Sequence, residues 1–573
     1  MRHLSASTGR AWLMQAPIAA VAKLPSTRRR TLLTLAALIA CFAAIAAQLL
    51  RLGLKAEADF HLNIAEPIGQ SWSRPDIVDR HGQLLATDVA THSLYADPQL
   101  VLDSDEIVEK LTGALAGLDR SEVRRALADR GRRFAWIARG LTPREAQRVH
   151  DLGLPGLAFR TELKRVYPLG ALAGHVVGSV NVDNKGLVGL ERWLDDMGKV
   201  EAVQGTDRSE KPALRLSLDV GVQHAVSEEL QAAVARYSAT GAAGLVLDLS
   251  SGEVLAAASL PAADPARPSD WLDLRHADKL MAGTFELGSV FKTLTVAMAL
   301  EAGVADLNSL YDVRRPLTIG AKTITDLHPS GRPLSVREIF LHSSNVGAGL
   351  IALDLGADRQ RQLLAKFGLI EPLRTEAGNT APPQLPKHWG RIETVTISYG
   401  HGIAVAPLQL AAAMAGVIVG PKVTPTFLAR TEASPPTPRL ISPATSARIQ
   451  EIWRLNVTSP VGTGRRADAE GYRVGGKTGT AEMPGRGGYQ AKAVISSFIG
   501  AFPMDAPNYL TLVMLFEPEP VAGIAPGITA GLNAAPTTAR IVHRIAPVLG
   551  VLPRLIGRAE ATDAQFDAPP VAQ

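Results

Sequence analysis

The chain has 573 residues, more than one ordinary domain needs, and its composition is that of a folded protein. Hydrophobic residues make up 46% and charged residues 20%, so the chain can bury a large core. The formal net charge is +5, but residues 1–30 carry six basic side chains and no acidic one, which leaves −1 for the remainder. A nearly neutral body argues against nucleic acid as a partner. The single cysteine, Cys41, excludes an intrachain disulfide and a cysteine-rich metal site.

Residues 31–50 form an uncharged apolar segment, TLLTLAALIACFAAIAAQLL. A helix of this length spans about 30 Å, the thickness of the hydrocarbon core of a bilayer. Three arginines at 28–30 precede it and mark the cytoplasmic side. We therefore predict a cytoplasmic basic segment over 1–30, a transmembrane anchor over 31–50, and export of the rest. A cleaved signal peptide is the alternative, because Ala-Ile-Ala at 44–46 resembles a cleavage site, although the apolar region of a signal is usually shorter.

Residues 51–212 are mixed in composition and rich in loops, which indicates a pedestal or interaction domain. Amphipathic patterns predict helices over 105–118 and 121–129. The region also holds an arginine cluster: Arg124, Arg125, Arg130, Arg132 and Arg133. Such a cluster could hold an anionic partner, but a solvated face is the commoner outcome. The histidines show no metal-ligand spacing, so we expect neither a metal nor another cofactor.

Residues 213–553 have a different sequence pattern, in which long apolar segments are separated by clear turns. The patterns predict β-hairpins over 244–256 and 493–516, with helices between them. Strands at both ends with helices between indicate an α+β domain in which helices cover an antiparallel sheet. A helix over 537–549 is expected to pack back on that sheet. The composition of 554–573 predicts a disordered tail.

The first of three short motifs in this region is a single S-x-x-K, in which Lys292 follows Ser289 by three positions. A helix is predicted over 289–300, and positions i and i+3 share a helix face, so the amine can reach the hydroxyl. A serine is a poor nucleophile until a base takes its proton, and an apolar helix lowers the pKa of its lysine toward neutrality. The pattern alone is also compatible with a core helix that carries these residues by chance.

The second motif is S-x-N, formed by Ser343 and Asn345. A capping-box pattern starts a helix at Ser335, which we expect to run to 342, break, and be followed by a second helix over 346–356. Ser343 could relay a proton between Lys292 and a leaving group, and Asn345 could hold a substrate amide. The pattern recurs at 179–181, so it is weak evidence by itself.

The third motif is K-T-G, Lys477-Thr478-Gly479, followed by Thr480. It lies in a predicted edge strand over 474–482, where a peptide substrate can add as a further strand. The hydroxyls of Thr478 and Thr480 suit a terminal carboxylate, and Gly479 permits close backbone approach.

Two further roles are expected at this motif. The N–H groups of Thr480 and Ser289 would together form an oxyanion hole. The ammonium of Lys477 would disfavour protonation of Lys292, because two like charges resist each other.

Residues 471–478 also satisfy the P-loop pattern G-x-x-x-x-G-K-[ST]. A P-loop needs a buried strand before it and a helix that starts at the lysine. The preceding 464–470 is polar, and 482–488 contains one proline and three glycines, so nucleotide binding is disfavoured.

The three motifs in this order resemble those of class B penicillin-binding proteins, the D,D-transpeptidases that cross-link peptidoglycan. The resemblance extends through the pedestal, at 74–82, 165–178 and 189–191, and into 252–256. Ser-Ser-Asn-Val at 343–346 and Tyr-Gly-His-Gly at 399–402 resemble the septum-forming (FtsI-type) branch. The elongation branch commonly has Asp at the third position of S-x-N. The chain departs from the family in having Leu287 where proline is usual and His81 where asparagine is usual.

This resemblance implies a penicillin-binding transpeptidase fold over 213–553, an N-terminal α/β pedestal of the dimerisation type, and a single transmembrane helix. It also implies that the protein is located in the bacterial inner membrane, with the bulk of the chain in the periplasm. Substrates would be stem peptides that end in D-Ala-D-Ala, β-lactams would be inhibitors, and a membrane glycan polymerase and other division proteins would be partners. The alternatives are an elongation-type transpeptidase, a D,D-carboxypeptidase or β-lactamase-like hydrolase, and a non-catalytic scaffold.

Overall fold

The structure, a computed structural model, describes residues 26–56, 70–204, 211–431, 437–485, 488–523 and 525–554. Most of the predicted cytoplasmic segment (1–25) and nearly all of the predicted tail (555–573) lie outside the described residues. Two compact units form: Met1–Ile68 with His92–Arg160, and Gly69–Thr91 with Thr161–Gln573. The domain boundaries proposed from the sequence stay a prediction.

The helices and strands follow one another along the whole described chain. The helices are α1 (Ser26–Ala56), α2 (Ser104–Ala114), α3 (Arg120–Ala128), α4 (Pro143–His150), α5 (Gly174–Val177), α6 (Gly189–Asp196), α7 (Val220–Arg236), α8 (Pro268–Leu272), α9 (Lys292–Glu301), α10 (Val336–His342), α11 (Asn345–Leu355), α12 (Ala357–Lys366), α13 (Arg391–Ser398), α14 (Pro407–Val419), α15 (Pro443–Thr458) and α16 (Ala534–Val548). The strands are β1 (Gln70–Ser73), β2 (Ile77–Val78), β3 (Leu84–Ala96), β4 (Ala135–Leu141), β5 (Leu157–Val166), β6 (Ser179–Val180), β7 (Gly186–Val188), β8 (Glu201–Gln204), β9 (Leu214–Arg215), β10 (Gly241–Asp248), β11 (Val254–Leu260), β12 (Leu310–Tyr311), β13 (Leu317–Ile319), β14 (Lys322–Ile324), β15 (Leu334–Ser335), β16 (Arg374–Thr375), β17 (Gly378–Asn379), β18 (Gly475–Gly485), β19 (Gly488–Phe502) and β20 (Tyr509–Phe516).

Helix α1 contains the apolar segment predicted as the anchor. Its stretch Thr31–Leu49 has a mean hydropathy of 2.3 and is long and apolar enough to cross a membrane. None of this stretch is buried inside the protein, as expected for a helix whose apolar side chains require lipid. Helix α1 therefore has the properties of a single-pass membrane anchor.

The unit with residues 92–160 contains the two predicted amphipathic helices, α2 and α3. Each begins at an aspartate N-cap, Asp103 for α2 and Asp119 for α3, whose carboxylate accepts backbone N–H groups of the first turn. Ile107 and Leu111 of α2 are fully buried in the core of the unit. Both helix predictions are confirmed to within a few residues.

The arginine cluster of this unit lies on its surface. Arg124 pairs with Asp105 at 2.6 Å and Arg132 with Asp129 at 2.9 Å, and all four side chains are more than half exposed. Exposed pairs of this kind contribute little to stability. The cluster is thus the solvated face that the sequence favoured.

The second unit is built around a five-stranded antiparallel sheet with strand order β11-β10-β20-β19-β18. Both predicted hairpins are present, as β10–β11 and β19–β20. Strand β18 forms one edge of the sheet, with Lys477 opposite Ile499 of β19. The α+β prediction is confirmed, and the motif-bearing strand is the edge strand that it required.

Helices cover both faces of this sheet, because its central strands alternate between two apolar layers. On β20, Leu512 and Met514 point into one layer, while Val513 and Leu515 point into the other. The first layer includes the residues of α9, the helix that carries Lys292. The second is formed with α7 and α16, so the predicted C-terminal helix does pack on the sheet.

A buried ionic network lies at the N-terminal end of this unit. Glu191 binds both Arg74 and Arg165 at 2.7 Å, and all three side chains are fully buried. Asp195 pairs with Arg74 at 2.6 Å, and Asp88 with Arg165 at 3.2 Å. Removing one partner would leave an uncompensated buried charge, so the network holds three distant chain segments together. These are the pedestal segments that carry the family resemblance.

Candidate active site

Ser289 and Lys292 lie where a short 3-10 turn (Gly288–Phe291) leads into α9. The helix predicted from residue 289 is therefore present, but its first turn is 3-10 rather than α. Residues i and i+3 eclipse in a 3-10 turn, which brings the two side chains together. The Lys292 amine (Nζ) lies 3.0 Å from the Ser289 hydroxyl (Oγ).

The start of this turn is packed directly against strand β18. A Cβ on Gly288, whose φ is +58°, would lie 2.8 Å from the carbonyl oxygen of Thr480. A Cβ on Gly479 would lie 2.5 Å from the carbonyl oxygen of Leu287. Only glycine fits such backbone contact, so these glycines place the S-x-x-K turn beside the K-T-G strand. The close approach predicted at Gly479 involves the chain's own backbone.

The S-x-N motif forms the turn between α10 and α11. The capping box at Ser335 is present, and α11 begins at Asn345, one residue earlier than predicted. Ser343 has φ 58° and ψ 42°, the left-handed conformation that non-glycine residues rarely adopt. This turn directs the side chains of both Ser343 and Asn345 toward Lys292.

The Lys292 amine is surrounded by oxygen atoms of that turn. It lies 2.6 Å from the Ser343 carbonyl oxygen and 2.7 Å from the Asn345 side-chain oxygen, and both atoms are obligate acceptors. The hydroxyls of Ser289 and Ser343 lie at 3.0 and 3.1 Å. A neutral amine has two N–H groups and one lone pair. Its N–H groups satisfy the two acceptors, which leaves the lone pair for a hydroxyl proton.

Burial favours the neutral amine. Lys292 is 1% exposed, and this burial holds its pKa well below the usual range, assisted by the nearby charge of Lys477 and opposed by Asp326. Lys477 is fully buried, which lowers its pKa to about 7. The expected repulsion between the two amines is therefore present.

Lys477 reaches the same turn from strand β18. Its amine lies 3.2 Å from the Ser343 hydroxyl, which thus contacts both lysines. A proton can pass between the amines through this hydroxyl. Because Lys477 lies within a strand and no helix starts there, the P-loop interpretation is excluded.

The hydroxyls predicted to bind a carboxylate are both hydrogen-bonded within the protein. Thr478 donates to the hydroxyl of Thr463 at 2.7 Å, and Thr480 accepts the backbone N–H of Ala530 at 3.1 Å. Each threonine retains capacity for a further bond, since a hydroxyl both donates and accepts. Their binding role stays a prediction.

Two residues at the site were missed by sequence reasoning. Thr463 lies 3.3 Å from the Lys477 amine and is held by Asn456, which accepts its backbone N–H at 3.0 Å. The only local signal was its position between two glycines. Asp326 binds the S-x-N turn from a loop, and no local pattern marks it.

The segment at 399–402 supports the turn that carries Ser289. Gly400, with φ +79°, lies so close to Gly288 that a Cβ would collide with its carbonyl oxygen. Tyr399 packs in a small apolar cluster with Ile324 and Val395, and burial raises its pKa to about 12. The sequence indicated this segment only through family resemblance.

Known families match both parts of the chain. The penicillin binding protein transpeptidase domain matches residues 242–543, and the penicillin-binding protein dimerisation domain matches residues 71–195. The probable peptidoglycan D,D-transpeptidase FtsI of Caulobacter vibrioides is 37% identical, over 84% of this chain and 82% of its own. The peptidoglycan D,D-transpeptidase FtsI of Escherichia coli K12 is 32% identical, over 78% and 80%.

Solved structures agree. The transpeptidase domain of Burkholderia pseudomallei penicillin-binding protein 3 has 31% identity and a TM-score of 0.54, and covers 60% of this chain and 98% of its own. Penicillin binding protein 2X of Streptococcus thermophilus, at 20% identity, shares the fold with a TM-score of 0.66 over 84% of this chain and 80% of its own. The fold and the lysine-serine site define a penicillin-binding transpeptidase domain. The chain belongs to the penicillin-binding protein family, as a class B member of the FtsI type.

Proposed function

We propose that this protein is a septal peptidoglycan D,D-transpeptidase in which Ser289 is the acylated nucleophile and Lys292 its base. Membership of the family supports the cross-linking of stem peptides and covalent penicillin binding. The observation that carries the residue assignment is the 3.0 Å contact between the buried Lys292 amine and the Ser289 hydroxyl. A neutral amine at this distance is a competent general base.

In the first half-reaction the Ser289 oxygen attacks the carbonyl carbon of the penultimate D-Ala. Lys292 takes the hydroxyl proton, and the N–H groups of Ser289 and Thr480 stabilise the oxyanion. The peptide C–N bond then breaks, and Lys292 passes the proton it has taken through the Ser343 hydroxyl to the nitrogen of the departing D-Ala, which makes the lysine neutral again. The packing of the Ser289 turn against Thr480 supports this pairing of donors.

In the second half-reaction an amine from a neighbouring stem peptide attacks the ester carbonyl. Its proton passes to Lys292, the bond to Ser289 breaks, and Lys292 returns that proton to the serine oxygen. A new peptide bond joins the two stems. A β-lactam would follow the first half-reaction only, because its amide C–N bond opens without releasing a leaving group.

Substrate would bind along strand β18, the edge strand of the sheet. Its extended backbone would continue the sheet, and its terminal carboxylate would meet Lys477, Thr478 and Thr480. Lys477 lies within reach of the Thr463 and Thr478 hydroxyls, at 3.3 and 3.4 Å. This cluster of donors supports an anion subsite there.

The location proposed for this chemistry is the periplasm, with helix α1 as the anchor in the inner membrane. The positive charge of residues 1–30, which precede the apolar stretch of α1, supports this orientation. The proposed partners are a membrane glycan polymerase and other division proteins. Proteolysis of intact spheroplasts should then destroy the large domain, and a soluble mature form starting near residue 47 would instead identify a cleaved signal.

The septal role is tested by depletion with complementation. Cells depleted of the protein should form filaments with segregated nucleoids and no constrictions, and the wild-type gene should restore division whereas Ser289→Ala should not. Round or bulging cells that still divide would move the protein to the elongation branch. Purified enzyme that releases D-Ala from stem peptides without forming cross-linked dimers would identify a carboxypeptidase.

A further inference from the structure

Asp326 contacts the S-x-N turn through three hydrogen bonds. It lies two residues after strand β14 and is half-buried. Its carboxylate accepts hydrogen bonds from the Ser344 hydroxyl at 2.6 Å, from the Asn345 N–H at 2.5 Å and from the Val346 N–H at 3.0 Å. All three donors belong to the start of α11, so one carboxylate fixes the segment that surrounds the Lys292 amine.

These bonds complete the N-terminus of α11. The first N–H groups of a helix have no partner within it, and a negative charge there is favourable. The N-cap residue Ser344 accepts the Gly347 N–H at 2.9 Å, and Asp326 accepts the two N–H groups before it. The left-handed conformation of Ser343, which precedes this cap, needs such support because it is intrinsically disfavoured.

We propose that Asp326 is a positioning residue for acylation: it locks the S-x-N turn so that Ser343 and Asn345 hold the Lys292 amine against Ser289. The proposal rests on the proposed function, since it assumes that Lys292 is the base for Ser289. It adds a carboxylate outside the three motifs that controls both the geometry and the proton affinity of that base.

The charges that act on Lys292 come from two elements. Lys477 approaches from strand β18 and lowers the pKa of Lys292, whereas Asp326 approaches from the loop after β14 and raises it. The other groups in contact, the hydroxyls of Ser289 and Ser343 and the amide of Asn345, are neutral. Loss of the Asp326 charge should therefore lower the pKa of Lys292 further.

The test is the pH dependence of penicillin acylation in detergent-solubilised full-length protein. Asp326→Asn should lower the second-order acylation rate about 10²-fold, the loss that a displacement of about 1 Å in a catalytic group can cause. On a plot of acylation rate against pH, the fall in rate on the acid side should also move to lower pH, because a less basic Lys292 stays neutral in more acidic solution. The proposal would be overturned if the acid side of the pH–rate profile lay at the same pH as in wild type. It would also be overturned by an acylation rate within about twofold of wild type.

Two variants separate positioning from general stability. Asp103→Asn removes a comparable N-cap carboxylate from α2. It should change neither the acylation rate nor the acid side of the pH–rate profile. Ser344→Ala removes the hydroxyl that donates to Asp326 and accepts the Gly347 N–H, but it keeps the Asp326 charge. The acylation rate should therefore fall while the acid side of the pH–rate profile stays in place. If Asp326→Asn does not fold, Ser344→Ala decides, and a wild-type rate in that variant contradicts the positioning role. Acylation that persists in Ser289→Ala would instead contradict the proposed function itself.

Discussion

The side-chain oxygen of Asn345 accepts a hydrogen bond from the amine of Lys292 at 2.7 Å. A carboxylate at this position would favour the ammonium and raise the pKa of Lys292. Asn345→Asp should therefore acylate more slowly at neutral pH and recover as the pH rises, since the acid limb moves upward. The measurement is the acylation rate of Asn345→Asp and of wild type, determined by stopped-flow over a range of pH. The exposed substitution Asn308→Asp is the control, and coincident profiles for Asn345→Asp and wild type would contradict the hydrogen-bonding role.

Lys292→Arg separates basicity from positive charge. An arginine keeps the charge but cannot lose its proton in a protein. Acylation by a fluorescent penicillin should fall by at least about 10²-fold, the lower range for a lost general base. The surface exchange Lys366→Arg should have no effect. Near-normal labelling of the Lys292 variant would show that charge alone is sufficient.

The parts of the fold that the sequence predicted are those with local patterns. The hairpins β10–β11 and β19–β20, the capping box at Ser335 and helix α16 each depend on periodicity or turn residues within a short window. The S-x-x-K pair was predictable because its geometry needs only one helical turn. The 3-10 form of that turn was not, because it depends on contact between Gly288 and Thr480, far apart in sequence.

The missed residues act across longer separations. Asp326 binds residues 18 to 20 positions away, and Thr463 binds a threonine 15 positions away. Single aspartates and threonines in loops are common, and nothing in their neighbours shows which will meet a motif. Asp326 reaches the site through its bonds to the α10–α11 turn, and Thr463 through its bonds to Asn456 and Thr478.

Lys477 should reduce the stability of the fold. Below pH about 7 the folded protein holds a buried ammonium, whereas the unfolded chain keeps that charge in water. The cost falls as the pH rises from about 7 toward the usual lysine pKa of 10.5, because the folded state then loses the proton. Lys477→Met should raise the unfolding midpoint by several degrees at pH 6 and by less at pH 9, while abolishing acylation. A lower midpoint, or an equal gain at both values, would contradict this.

Thr463→Val should weaken the subsite that we assign to the substrate carboxylate. The valine leaves the Thr478 hydroxyl without its 2.7 Å acceptor and removes an oxygen beside Lys477. The loss of a hydrogen bond in a charged cluster should lower the acylation rate about tenfold. Thr458→Val, at an exposed position of α15, should behave as wild type. Equal rates for both variants would mean that Thr463 does not support the subsite.

Intact-mass analysis after penicillin treatment, followed by peptide mapping, identifies the acylated residue. If Ser289 is the nucleophile, the wild-type protein should carry a single covalent adduct on the peptide that contains Ser289, and Ser289→Ala should carry none. An adduct that survives in Ser289→Ala, or one that maps to another serine, would contradict this assignment.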